Sequence, residues 1–568
     1  MKKLAALMAL LMSLSCLTAC DLSALLGGGT SGENSSTSEN NVEGEKSLDV
    51  LGQQEVVTLK KDESKTYAVN KDITGMDYIK LLVNTNVNLV GKFQYHDVTD
   101  SSKIVTEDFF IEQSGEGDVE FKQFFDRFRK TGHGLFDKQL LSITVTNVDD
   151  AEGKVEMKKA TVTNRVIDEY EREVYVSKNK IKVGADLATG GTLTFLQRLE
   201  YDGQTIDEVV RDDEIVIDVN AKATLDEANG DEFLSSDVNL INIFDAGRQF
   251  QQSYYANVGG TMADTPEKMR ENGYSNSVLP PDYGSNGYNR ALCKTADVNG
   301  YYWPYNPVQG GDVVSNPSQI IDYEVSDNEI YIKVRAMDWA KGDNGSSYTG
   351  TVMGGVTTKS YMENWYTIKG GMVYVTNRFV DWNGFEGLEK VPVHSNELPA
   401  AYVVHPFHNY VCYDGKDTSW KGALTKTENP GSWVKEAVRN YDPIEHWFAW
   451  VNDNDFGVGV YVPGTDVFVS GRSNSSVNKK LNINSDAFDS PLTNEYRYNK
   501  PEAVSKYTSC YVRNTSYTAP VVVWTMKSYV PMQYTYVISV DYVDVMRQQF
   551  KDLDENNVVD NSMLSSWN

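Results

Sequence analysis

Histidine and cysteine are scarce in this chain, 6 and 5 among 568 residues. No CxxC pair, no HExxH and no Cys/His spacing suited to zinc occurs. His405-Pro-Phe-His408 is an i, i+3 pair that Pro406 keeps off a helix. No metal or other cofactor is expected. Basic residues are also few: 53 Lys+Arg stand against 80 Asp+Glu, a net charge of -27, and no Lys/Arg cluster offers a phosphate-binding patch. That balance argues against a nucleic-acid partner. Neither GxSxG nor a P-loop is present, nor a Rossmann fingerprint between a strand and a helix, which disfavours serine hydrolases and nucleotide enzymes. Long apolar runs are missing beyond Leu4–Leu14, which is too short to span a bilayer.

That one apolar run follows Lys2 and Lys3 and ends at Leu17-Thr18-Ala19-Cys20. The arrangement resembles the bacterial lipobox, in which cleavage precedes a cysteine that is then lipidated. The alternative is an ordinary secretory signal with a chance cysteine. On the lipobox reading, residues 1–19 are a signal peptide and Cys20 is the lipidation site. The protein is then an extracytoplasmic lipoprotein, anchored to a membrane at the cell surface or in the periplasm but not spanning it. Residues 20–48 are rich in Gly, Ser, Asn, Thr and Glu and cannot bury enough apolar surface to order themselves, so they read as a flexible tether.

What is abundant is tyrosine, with 34 residues, and glycine, with 43. Tyr, Val and Thr punctuated by Gly, Asn and Asp predict an all-β protein. Residues 49–168 read as a small β-sandwich, and the stretch Asp118 to Gly134 within it, with Phe121, Phe124, Phe125 and Phe128 at helical spacing, is expected to be a short helix. This first unit resembles an accessory carbohydrate-binding module. Residues 169–550 read as a large antiparallel β-supersandwich, and 551–568 as an acidic tail. Asp552, Asp554, Asn556 and Asp560 fall at calcium-loop positions, but Asn557 and Met563 stand where such a loop needs Gly and an acid. Of the cysteines, Cys293, Cys412 and Cys510 belong to the folded part and allow at most one disulfide; buried free thiols are the simpler reading.

The larger unit opens with two strands around Thr189-Gly190-Gly191, an opening similar to that of the galactose-mutarotase-like fold, which occurs in sugar epimerases and as a domain of glycoside hydrolases and polysaccharide lyases. GRQFQQSYY, WPYNPVQGGD, MDWAKG, SYMEN, NRFVDW and NELPAAY together resemble a mostly uncharacterised family of secreted bacterial proteins associated with glycan use. The histidines here do not match the mutarotase pattern. The resemblance therefore implies a glycoside hydrolase or polysaccharide lyase rather than an epimerase, with a non-catalytic glycan binder, an adhesin or a structural envelope lipoprotein as alternatives.

Two stretches, 242–255 and the glycine- and proline-rich 303–312, carry the residues expected to bind substrate. A sugar presents apolar C–H faces, which rings cover, and a rim of hydroxyls, which amides, carboxylates and Arg satisfy. The first stretch supplies Asp245, Arg248, Gln251, Tyr254 and Tyr255; the second supplies Trp303, Asn306 and Gln309; Asp338 and Trp339 follow. An Arg248–Asp245 pair pinning a loop over packed Tyr rings would use the same residues. Glycan cleavage needs carboxylates or a His base, and Asp312, Glu363, His394 and Glu397 are the catalytic candidates. Polysaccharide or oligosaccharide is the expected partner, besides the membrane.

Overall fold

The structure is a computed structural model. It describes residues 46–568 except 53–54, 97–101, 103, 116, 126–138, 165–172, 202–203, 206–220, 225–231, 235–238, 242–248, 255–306, 312–316, 339–356, 385–390, 405–406, 417, 432–437, 466, 475–513 and 563–568. The described part is all-β, with antiparallel pairing throughout and one long helix, Val543–Glu555.

Two sheets open the fold. Lys46–Asp49, Val56–Leu59, Tyr78–Thr85, Asp118–Phe124 and Gly153–Asn164 make the five-stranded one; Ser64–Asp72, Leu89–His96, Ile104–Ile111 and Gln139–Asn147 make the four-stranded one. Their alternating apolar residues meet in one core, where Phe109 stacks on Phe93 at 4.3 Å and on Phe121 at 5.0 Å. The first strand begins inside the stretch that composition assigns to the tether. Over its described part the helix expected from Asp118 to Gly134 is instead the strand Asp118–Phe124, paired with Tyr78–Asn84, while Phe128 lies outside the described residues. Val and Phe suit a pleated surface, and the long-range ladder outweighs the local helical period, because Phe121 and Phe124 each find a core only from the sheet.

A 15-stranded sheet follows and curls into two facing layers around one apolar interior. Gln251–Tyr254 lies in one layer and Met372–Asp381 in the other, and the Tyr254 and Phe379 rings stack between them at 4.1 Å. The outward side of the second layer matters most for function. Gln319–Val325, Glu329–Asp338, Thr357–Lys369, Met372–Asp381 and Met532–Tyr542 lie side by side there. Ile332, Met362, Val375 and Tyr536 point to the interior, so by strand alternation Tyr331, Lys333, Glu363, Trp365, Thr376 and Thr535 point outward.

Two structures cover the two ends of that outward face. At one end sits the N-terminal sandwich: Ile321, Tyr361, Val380 and Trp382 share its core. The Phe110 N–H donates to Tyr361 Oη at 3.2 Å, Arg335 Nη1 donates to the Asp108 carbonyl at 2.9 Å, and Lys122 pairs with Asp322 at 2.6 Å. At the other end lies the helix, which begins where the sequence reads as a continuing strand. Its Val543, Met546, Phe550 and Leu553 recur at helical spacing and are buried against Trp447, Tyr461 and Val537. Asp455 supplies the carbonyl for the first helical N–H, and the fully buried Glu445 holds Arg547 at 2.6 Å. Asp554 accepts from Trp420 Nε1 at 3.0 Å and Tyr461 Oη at 2.9 Å, so this acidic turn docks the helix end.

Candidate functional site

The two stretches singled out in the sequence do meet. Ser253 pairs with Val308 on one side and with Glu397 on the other. Their described side chains, however, face the interior. Gln251, Gln252, Tyr254 and Gln309 are each at most 4 % exposed. Gln251 Oε1 accepts the Gly310 N–H at 2.8 Å. Gln309 Nε2 donates to Tyr366 Oη at 3.0 Å and to the Gly191 carbonyl at 3.1 Å, and Tyr366 Oη donates to the same carbonyl at 2.8 Å. Tyr254 Oη donates to Gln252 Oε1 at 2.5 Å, and Gln252 donates to Asn364. Burial pushes the Tyr254 and Tyr366 phenols up, so neither ionises at ordinary pH. Buried amides must find partners, and these find them in the chain itself. They lock the glycine turn to the strand pair rather than facing an open hollow.

The other expected site residues divide in two. Asp245, Arg248, Tyr255, Trp303, Asn306, Asp312, Trp339 and Cys20 lie outside the described residues. For His394 and Asp338 only the backbone is described, His394 pairing with Trp524 and Asp338 with Pro307. Glu397 is buried, 6 % exposed, beside Ser253 on the same strand pair. Cys412 is a buried free thiol, which burial pushes up to about 12, leaving it inert. Among the described residues no group of His, Cys, Asp and Glu is arranged to hold a metal ion.

Among the described catalytic candidates, Glu363 is the one on the outward face, though its side chain is buried, 8 % exposed. It lies on the outward face between the two covers, where Arg378 bridges it to Glu112 of the N-terminal sandwich and Tyr331 Oη donates to it at 2.8 Å. Burial alone would raise its carboxyl, but Lys333, Arg378 and the Tyr331 hydrogen bond outweigh burial and hold it below the usual carboxylate range. An anion so held orients Tyr331 and Arg378 and is a poor proton donor. Burial and the Glu363 charge push the Tyr331 phenol far up. Because the folded carboxyl is depressed, the group stabilises the fold above its unfolded pKa, about 4, and that contribution is lost as pH falls through the folded value. Glu363→Gln is therefore expected to cost about 1–3 kcal/mol at neutral pH and almost nothing in strong acid. Urea unfolding of both proteins as a function of pH checks this; a cost independent of pH would contradict it.

Beside Glu363 lies a groove of about 320 Å³ lined by Glu324, Val325, Ser326, Glu329, Tyr331 and Trp365. Tyr331 and Trp365 are directly cross-strand, with ring centroids 5.1 Å apart and planes 37° to one another, a bent aromatic floor. Val325, 45 % exposed, forms an apolar lip. Neither ring is among the residues that the sequence marks as a candidate site. The available signal is the alternation Glu363-x-Trp365-x-Thr367 opposite Glu329-x-Tyr331-x-Lys333, which places rings and charges on the register that does not face the core.

No protein-family profile matches this chain, and no characterised protein sequence matches it. Among solved structures, it is similar to a putative aldose 1-epimerase from Escherichia coli K12, at 8% identity and a TM-score of 0.30, over 65% of this chain and 99% of that one. A galactose mutarotase-like protein from Lactobacillus casei ATCC 334 gives the same identity, coverage and TM-score. An alpha-mannosidase from Enterococcus faecalis V583 is similar at 7% identity and a TM-score of 0.26, over 89% of this chain and 44% of that one. Likenesses this distant decide neither the chemistry nor the site of this chain, for which its own geometry must serve.

Proposed function

We propose that this chain binds extracellular polysaccharide on the outward strip between its two covers, with Tyr331 and Trp365 as the platform. The observation that carries this reading is the tilted ring pair flooring a groove rimmed by carboxylates and a serine, because rings take the C–H faces of a sugar while oxygens take its hydroxyls. Binding without cleavage fits the described carboxylates best: Glu363 is held as a paired anion and Glu397 is buried in a strand ladder. Hydrolase or lyase chemistry rests on Asp312 and His394, whose side chains lie outside the described part. Passing the full chain over a panel of plant, algal and host polysaccharides, while following both retention and product release, separates the readings. Retention without products is expected; products would establish an enzyme, and no retention would end the glycan reading.

The lipobox-like Leu17–Cys20 supports attachment of this binder to a membrane outside the cytoplasm, with residues 21–45, ahead of the first strand, as its tether. Cys20→Ser is expected to move the protein from the membrane to the soluble fraction on cell fractionation. An unchanged membrane fraction would sink the anchoring proposal without touching the groove.

A further inference from the structure

We infer that the groove takes an extended stretch of glycan chain whose sugars are uncharged or carry an amine, and that it turns away uronate and sulfated sugars. This rests on the glycan-binding reading above. The first support is register. Glu324 pairs with Tyr331, Tyr331 with Trp365, Trp365 with Thr376 and Thr376 with Thr535, so five adjacent strands each present one residue to a single transverse row. At the usual strand spacing that row is about 19 Å long, the length of an oligosaccharide and not of one sugar. Past the ring pair it continues as two hydroxyls, Thr376 and Thr535, whose Oγ1 atoms are 3.0 Å apart. The N-terminal sandwich and the C-terminal helix stand on either side of the row, so the open direction runs across the strands.

The second support is charge. The groove lining holds two carboxylates, Glu324 and Glu329, and no cation. Cations on this face have contacts away from the groove: Lys333 Nζ lies 4.5 Å from the Tyr361 ring centroid, Lys369 Nζ lies 5.5 Å from the Tyr374 ring centroid, Lys122 pairs with Asp322, and Arg378 pairs with Glu112 and Glu363. A sugar carboxylate or sulfate in the groove would meet two like charges with no counter-charge. A sugar hydroxyl can donate to either carboxylate, and an ammonium can pair with one while lying over the rings. The chain's net charge of -27 adds long-range repulsion of polyanions.

The test is affinity electrophoresis of the full chain through gels holding soluble β-glucan, galactomannan, chitosan, polygalacturonate or alginate, at low and high salt. At low salt, at least one of the first three is expected to retard the protein, and about ten-fold or more strongly than either acidic polymer. In the double variant Glu324→Gln, Glu329→Gln that gap is expected to narrow at least three-fold. An acidic polymer that binds as tightly as the best neutral or amine-bearing one overturns the inference and leaves the binding reading standing. So does a double variant that discriminates as the wild type does. Retardation by none of the five overturns the glycan reading and the inference with it.

Discussion

Trp365→Ala is expected to weaken retained-polysaccharide binding by the full chain about thirty-fold, a loss of about 2 kcal/mol typical of a central aromatic anchor. The indole is half-buried in the groove floor, cross-strand from Tyr331 and tilted toward it. Removing it takes away a flat apolar surface and leaves Tyr331 without its companion ring. Stability should change far less, because Trp365 points away from the interior that holds the layers together: its neighbours Asn364 and Tyr366 face inward and are at most 1 % exposed. Isothermal titration alongside thermal unfolding separates the two effects. Unchanged affinity in a folded variant would mean that the platform is not where sugar binds.

The largest stability effect is expected at Gly190, in Gly190→Ala. Its φ is +64°, in the left-handed region, where a Cβ costs about 1–2 kcal/mol. A Cβ there would also lie 1.9 Å from the Gln309 carbonyl oxygen. Nothing flexible can give way, since Gln309 is tied by its side chain to the Gly191 carbonyl and to Tyr366. The turn must shift and break buried amide bonds, so a total loss of about 4 kcal/mol or more is expected. Gly370→Ala is the control: its φ is +62°, but no atom lies within 4 Å of the added carbon, so only the conformational cost of about 1–2 kcal/mol should appear. Denaturant titration of both variants checks the contrast. Equal losses would mean that the packing of Gly190 against Gln309 contributes nothing.

The sheet was legible because its strands alternate. SYMENWYTIK sets Met362, Tyr366 and Ile368 on one register against Glu363, Thr367 and Lys369 on the other, MVYVTNRFVD sets Val373, Val375 and Phe379 against Thr376 and Arg378, and both are strands over those residues. Two elements misread for opposite reasons. Asp118–Phe124 has a helical phenylalanine period but obtains its hydrogen bonds and its core from distant strands. Val543–Glu555 opens Val-Asp-Val, alternating like the strand before it, yet its burial at 543, 546, 550 and 553 is helical. The meeting of the Gln251 and Gln309 segments was legible from shared composition. Their burial was not, because a Gln whose partners come from residues 190 and 366 looks in sequence like a Gln awaiting a ligand. The Tyr331–Trp365 floor was hidden for a related reason. Alternation says that these rings leave the inner face, but only the docked sandwich and the docked helix decide which outward residues stay open.

The most direct measurement of the central claim is hydroxyl-radical footprinting of the full chain with and without saturating polysaccharide, read residue by residue by mass spectrometry. Oxidation of Tyr331 and Trp365 should fall several-fold on binding, while Trp420, half-buried beside the helix on the far side of the strip, should be unchanged. Undiminished oxidation of both groove rings under conditions where the polysaccharide is demonstrably bound would contradict the account.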